Sequence, residues 1–227
     1  MRNDLMMSLS LAALILIAPT AFADPQIGGG RPGRGAPIDP GGGAGDSPVH
    51  DEKPEIAAKK AFAAGQKSLD KAKAFALQAE QAQSADKRIK AQEKANEAYY
   101  KAIDQFTEAL SNKGDLTEAW RDTGYVHLRL GAYVEALDDY NHVLKLQPDS
   151  LEAVESRAEA YLHLDRLEEV QIAYMDLFNH ARPLADQLMA LMRQWVAAHR
   201  ADPQGMRPAT VEAFARWVDE RVSAAGS

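Results

Sequence analysis

The chain has 227 residues and a formal net charge of −7, with 26 Lys and Arg against 33 Asp and Glu. It contains no cysteine, which excludes disulfides, thiolate catalysis and cysteine-ligated metal centres. Residues 115–181 carry a net charge of −9 (5 Lys/Arg, 14 Asp/Glu), whereas residues 53–113 carry +4 (12 Lys/Arg, 8 Asp/Glu). An acidic body is a poor binder of nucleic acid or anionic lipid, so we expect neither as a partner.

Residues 1–23 have the three parts of a secretory signal peptide. Arg2 supplies a positive start, residues 5–18 form an apolar run broken by two serines, and residues 21–23 spell an A-x-A cleavage site. The run is shorter than the roughly 20 apolar residues that a membrane-spanning helix needs. We therefore expect cleavage after Ala23, no membrane insertion afterwards, and a periplasmic or secreted protein.

Residues 24–54 have the composition of a linker. Fifteen of these 31 residues are Gly or Pro, and almost none is apolar, so we expect this segment to be disordered. Residues 28–33 formally spell G-x-G-x-x-G, but neither a predicted strand before them nor a helix after them gives the match a structural context.

Residues 55–114 are predicted to be helical. Residues 66–113 contain neither Gly nor Pro and are dense in Ala, Lys, Glu and Gln, which are strong helix formers. Apolar residues recur at intervals of seven, and the phase of this pattern slips near residues 84–86. Two structures fit: a hairpin of two helices that turns at residues 84–86, or one long helix that oligomerises the protein as a coiled coil.

Residues 116–149 carry large and small side chains at fixed spacing. The residues concerned are Trp120, Gly124, Gly131, Tyr133, Ala136, Tyr140 and Pro148. This segment resembles a tetratricopeptide repeat, in which small residues let two antiparallel helices approach and aromatic residues fill the space between them. The resemblance implies an all-α fold, a right-handed solenoid of helix pairs, and a protein or peptide as the partner.

The same resemblance extends weakly to both sides. Ala158 and Tyr174 lie 34 residues after Gly124 and Tyr140, so residues 115–183 are predicted to hold the repeats. Upstream, Tyr99, Ala102, Phe106 and Ala109 match the second helix of a repeat, and Gly65 is the candidate small residue of the first. Residues 55–114 are therefore better explained as an extended first repeat, a hairpin, than as one helix. Two helices in residues 184–227 are predicted to cap the stack.

Members of this family hold peptides on the concave face, which the first helix of each pair lines. By position, the resemblance assigns these residues to that face: Arg121, Tyr125, Leu128 and Arg129 in one repeat, and Glu155, Glu159, Leu162 and His163 in the next. The two arginines could accept a carboxylate, and Tyr125 offers a flat amphipathic surface. Ordinary solvated charges explain the same pattern. Tyr125 replaces the Asn of the carboxylate clamp found in chaperone-binding members, so we expect no such clamp.

The sequence contains no recognisable catalytic pattern. Its histidines lack zinc-site spacing, and the acidic run Glu135, Asp138 and Asp139, predicted on one exposed helix face, lacks the loop spacing of a calcium site. We expect that the protein is not an enzyme and that it binds neither a cofactor nor a metal ion. The predicted function is an exported adaptor, scaffold or assembly factor of the cell envelope. The alternative is an oligomeric structural protein that self-associates through residues 55–112.

Overall fold

Two long antiparallel helices open the part of the chain, residues 53–225, that this computed structural model describes. Helix α1 spans Pro54–Glu80 and α2 spans Ala85–Asn112. Proline in the first turn suits the start of α1, and the Ser84 hydroxyl caps α2 by accepting a hydrogen bond from the Lys87 amide at 3.4 Å. Buried alanines along both helices, among them Ala72 and Ala95, let the two axes approach closely.

The hairpin settles the choice that the sequence left open for residues 55–114. Ala85 and Asp86 belong to the first turn of α2, so the connecting turn lies at residues 81–84, slightly before the predicted position. Phe106 is fully buried beneath Gly65, and Leu69 is 2% exposed. These apolar side chains fill the space between α1, α2 and α3, and are not available as a seam for a second molecule.

Two shorter helix pairs follow the hairpin: α3 (Thr117–Leu130) with α4 (Tyr133–Leu146), and α5 (Leu151–His163) with α6 (Leu167–His180). Gly131 ends α3 in the left-handed region, with φ at 76°, where glycine carries no steric penalty. Within the α3–α4 pair the Tyr140 ring packs against Gly124, and within the α5–α6 pair Tyr174 is equally buried.

The last pair consists of α7 (Arg182–Ala201) and α8 (Pro208–Ala225). It shares one apolar core with α5 and α6, in which Trp195 meets Phe214 edge-on at 5.2 Å between ring centroids. A polar contact joins this core to the α5–α6 turn, because Trp195 Nε1 donates a hydrogen bond to Asp165 Oδ1 at 3.0 Å. Asp165 itself has φ at 57°, which is unusual for a residue other than glycine.

The helices form two rows. Each helix packs against the next in the chain. In addition, α5 contacts both α3 and α7. Within residues 53–225, no two even-numbered helices contact each other as extensively as α5 contacts α3 or α7. Helices that approach more closely form the inner row of a curved stack, so α3, α5 and α7 are inner helices. The stack of antiparallel pairs confirms the predicted all-α solenoid. The predicted signal peptide and most of the predicted linker lie outside the described residues.

No helix in residues 53–225 is both long enough and apolar enough to cross a membrane.

Candidate functional site

Five of the six side chains predicted to bind a partner lie together on the inner helices. Tyr125 and Arg129 are one turn apart on α3, and Glu155, Glu159 and His163 follow one another at intervals of four on α5. The two sets meet where the Arg129 guanidinium donates a hydrogen bond to the Glu159 carboxylate. Their side chains are 35% and 17% exposed, so the pair is reachable but not fully solvated.

Tyr125 lies between two cations. Lys73 Nζ is 4.8 Å from the centroid of its ring, and the guanidinium carbon of Arg129 is 5.4 Å from it. Both distances are within the range of cation–π attraction. Beneath it, burial raises the pKa of Tyr99, and the neighbouring Tyr125 contributes to that shift. The aromatic face of Tyr125 is therefore held in place by α1, α2 and its own helix.

His163 stacks on Tyr133, which begins α4. Their ring centroids are 4.2 Å apart and the planes differ by 4°. Burial lowers the pKa of His163, although the nearby Glu159 carboxylate opposes this effect. The imidazole is consequently neutral near pH 7 and presents a hydrogen-bonding edge rather than a charge.

Glu155 is an acid in a partly buried environment next to a second acid. Burial, and then the negative charge of Glu159, raise its pKa to about 7. Its carboxylate accepts a hydrogen bond of 3.4 Å from the Ser156 hydroxyl. A carboxyl group with a pKa near 7 can donate a hydrogen bond when protonated and attract a cation when ionised.

Arg121 does not belong to this group. Its Nε lies 3.2 Å from Asp122 Oδ1, and its side chain is 52% exposed. Asp122 also accepts a hydrogen bond from Gln66 of α1, so Arg121 extends from a contact that joins the hairpin to α3. Arg121 thus lies in the N-terminal half of α3, two turns before Arg129 and apart from the Arg129–Glu159 pair.

Several expectations about individual side chains were wrong. Leu128 and Leu162, assigned to the concave face, are 5% and 3% exposed and belong to the core, because each is turned about 100° along its helix from the surface residue beside it. Asp139 was expected on an exposed face but is 5% exposed, because it packs against α3 beside Gly124; His127 Nδ1 of α3 contacts its carboxylate at 2.6 Å. Arg129, which was expected to accept a carboxylate of a ligand, contacts Glu159 of the same chain, so a ligand would have to replace that contact.

Sequence reasoning missed two contributors to the surface. Lys73 reaches Tyr125 only because α1 extends beyond the length of an ordinary first helix, and no repeat position corresponds to it. Tyr133 was interpreted as a packing residue, and it also supports His163. We call Lys73, Tyr125, Arg129, Glu155, Glu159 and His163 the inner surface.

Among the described residues, no cluster of three or more His, Asp or Glu side chains could hold a metal ion.

Comparisons with known proteins add little to this geometry. The sequence matches no protein-family model and no curated protein. Among solved structures, the chain is similar to the Arabidopsis OM64 TPR domain, with 16% sequence identity and a TM-score of 0.35. The similarity covers 70% of this chain and 98% of that domain.

Proposed function

We propose that the chain is a protein-interaction module whose inner surface binds an extended segment or a helix of a protein partner. One observation carries the proposal: α1, α3 and α5 bring aromatic, cationic and acidic side chains together, and every residue of the inner surface is at least partly exposed. Arg and Tyr are the residues that most often dominate the affinity of protein interfaces.

The chemistry of the inner surface indicates how a partner would be held. Tyr125 offers a rigid ring for an apolar or cationic side chain, and neutral His163 and Glu155 offer hydrogen bonds to backbone groups. Arg129 and Glu159 can each exchange their mutual contact for an opposite charge on the partner. A segment carrying both a basic and an acidic residue therefore suits this surface better than a uniformly charged one.

The proposal also includes a location outside the cytoplasm and binding without catalysis. The signal-peptide pattern of residues 1–23 supports work outside the cytoplasm, as an adaptor, scaffold or assembly factor of the cell envelope. Binding is supported by the contact between Arg129 and Glu159, in which two opposite charges of the inner surface neutralise each other.

Exchanging the charges of one inner-surface pair tests the proposal. The Arg129→Glu/Glu159→Arg variant keeps the ion pair and the fold but reverses both charges that a partner meets. Reversing Arg129 alone is less informative, because it would place three acidic side chains together. The matched control exchanges Arg200→Glu/Glu212→Arg, a pair joined by two hydrogen bonds of 3.0 Å between α7 and α8.

The readout is partner recovery after cross-linking of the tagged protein in cells, quantified by mass spectrometry. The inner-surface exchange should reduce recovery by about tenfold or more, since charges that face a like charge across an interface cost several kcal/mol. The control should leave recovery unchanged. Equal recovery from both variants would show that partners bind elsewhere.

The alternative function, assembly through a coiled coil of residues 55–112, would have to use exposed side chains such as Ile89, which is 57% exposed, because the core of the hairpin is already filled. Leu69, Ala72 and Phe106 are buried in the core that α1 and α2 share with α3. These three side chains are therefore not available to a coiled coil between molecules.

A further inference from the structure

A basic groove runs along the hairpin between α1 and α2. It consists of two adjoining cavities of about 430 and 300 Å³, which share Lys94. The lysines that line the two cavities are Lys67, Lys71, Lys87, Lys90, Lys94 and Lys101. We call this the lysine groove. Its lining comes from α1, α2 and their connecting turn, so no later helix covers it.

The lysines of this groove lack acidic partners within the described chain. None of the six has a carboxylate oxygen within 4.0 Å in residues 53–225, although Glu97 also lines the groove. Arginines elsewhere behave differently, as Arg129 and Arg200 each hold a glutamate. Concentrated positive charge without partners raises the free energy of the isolated molecule, and a negatively charged surface placed against it would lower that energy.

An aromatic ring forms the apolar part of the groove. Phe75 lies between two of the lysines, with Lys71 Nζ 5.7 Å and Lys94 Nζ 5.6 Å from the ring centroid. The groove therefore offers a cation, an apolar contact and a second cation in succession. A bare polyanion would use the charges and leave the ring unused, so this arrangement favours a protein surface.

The complementary arrangement occurs on α6 of the same chain. Ile172 is 71% exposed, the largest exposure among the big apolar side chains of residues 53–225. Glu168 stands one turn before it and Asp176 one turn after it, so an anion, an apolar contact and a second anion follow in succession. Asp176 also pairs with His180 at 3.0 Å, whereas Glu168 has no cation within 4.0 Å among the described residues.

We propose that the lysine groove of one copy binds the exposed face of α6 on a second copy. Ile172 would contact Phe75, while Glu168 and Asp176 would pair with Lys71 and Lys94. The opposite net charges of residues 53–113 and 115–181 would draw the two surfaces together. Because the two surfaces differ, the contact is head-to-tail, and each bound copy leaves one groove and one α6 face for the next. The proposal is independent of the inner surface.

Mass in solution tests the proposal, measured by sedimentation equilibrium on the purified protein. At about 50 mM NaCl the average mass should exceed that of the monomer and rise with concentration; at about 500 mM it should fall towards the monomer, because exposed charge pairs are screened. A monomer at every concentration in low salt would overturn the proposal.

Charge-reversed variants identify the surfaces. Lys71→Glu/Lys94→Glu should weaken association by about tenfold or more, and Glu168→Lys/Asp176→Lys should do the same. The control Lys145→Glu/Arg193→Glu lowers the net charge by the same amount as the groove reversal, at exposed positions outside the groove, and should leave association unchanged. Circular dichroism melting would establish that each variant is folded.

Mixing the two reversed variants gives the sharpest result. Neither should associate with itself, but a mixture should, because each groove again meets a face of opposite charge. Failure of the mixture to associate would overturn the proposal. A second pair of results would also overturn the proposal. In it, the groove reversal abolishes binding of the probes polyphosphate or polyglutamate, and the α6 reversal leaves self-association intact.

Discussion

Replacing Gly65 by alanine places a methyl group against the buried ring of Phe106. An added Cβ would stand 2.5 Å from Phe106 Cδ1 and 3.1 Å from Cζ, well inside the contact distance of about 3.5–4.0 Å between carbon atoms. The ring has little room to move, because Phe106 is 0% exposed and packs against Phe62 with ring centroids 5.7 Å apart. The substitution therefore strains the contact between α1 and α2.

Two effects of opposite sign decide the outcome. Alanine is favoured over glycine inside a helix by about 1 kcal/mol. Overpacking a filled core costs about 1–3 kcal/mol, and a clash with a buried ring belongs near the upper end. We expect Gly65→Ala to lower the free energy of unfolding by about 1–2 kcal/mol, which corresponds to a decrease in Tm of roughly 2–8 °C for a domain of this size.

Urea unfolding followed by circular dichroism measures the effect, and a second background isolates its cause. In a Phe106→Leu protein the ring is gone, so Gly65→Ala should be neutral or stabilising, and the double-mutant cycle should show coupling between the two positions. Higher stability of Gly65→Ala in the wild-type background would contradict this prediction, because helix propensity would then outweigh the clash.

Three further predictions concern polar side chains that are partly buried or that hydrogen-bond to a buried side chain. Glu155, whose pKa is raised from 4.5 to about 7, keeps its proton in the folded state at pH values where the unfolded chain has lost it. The free energy of unfolding should therefore fall as the pH rises from about 4.5 to 7. In Glu155→Gln this pH dependence should be absent, and the variant should be more stable than the wild type by about 2–3 kcal/mol at pH 8. Urea unfolding in which the wild type and Glu155→Gln show the same pH dependence would contradict this. Arg129→Ala leaves Glu159 partly buried without its cation and should cost about 1–3 kcal/mol, measured in the same assay; no loss would mean that water replaces the guanidinium. Asp165→Ala removes the acceptor of the Trp195 Nε1 hydrogen bond and puts alanine at a position with left-handed backbone. The free energy of unfolding should decrease by about 1–3 kcal/mol, which would appear as a lower Tm. An unchanged Tm would show that the contact is not stabilising.

The fold could be predicted because it depends on the sizes of side chains at fixed spacing. Gly124 opposite Tyr140 and Gly65 opposite Phe106 are local requirements of two helices in close contact, and such requirements are legible in a sequence. The hairpin could be inferred for the same reason, since Gly65 and Phe106 face each other only if the chain reverses between them.

The details of the inner surface could not be predicted, because they depend on the distance between helices of different pairs. Arg129 and Glu159 are 30 residues apart, and nothing in the local pattern shows that their side chains meet. The periodicity of apolar residues identifies which face of a helix is buried. It does not show how wide a strip of that helix the neighbouring helices cover. Leu128 and Asp139 therefore lie in the interior although their helical positions border on exposed ones.

A photo-cross-linking residue placed on the inner surface shows whether a partner protein binds there. Benzoylphenylalanine would replace Tyr125 in one protein and, as a control, Tyr100 in another; Tyr100 lies on α2 and is 61% exposed. We predict that irradiation in cells joins a partner protein to the Tyr125 position and not to the Tyr100 position. Partner adducts at Tyr100 with none at Tyr125 would contradict it.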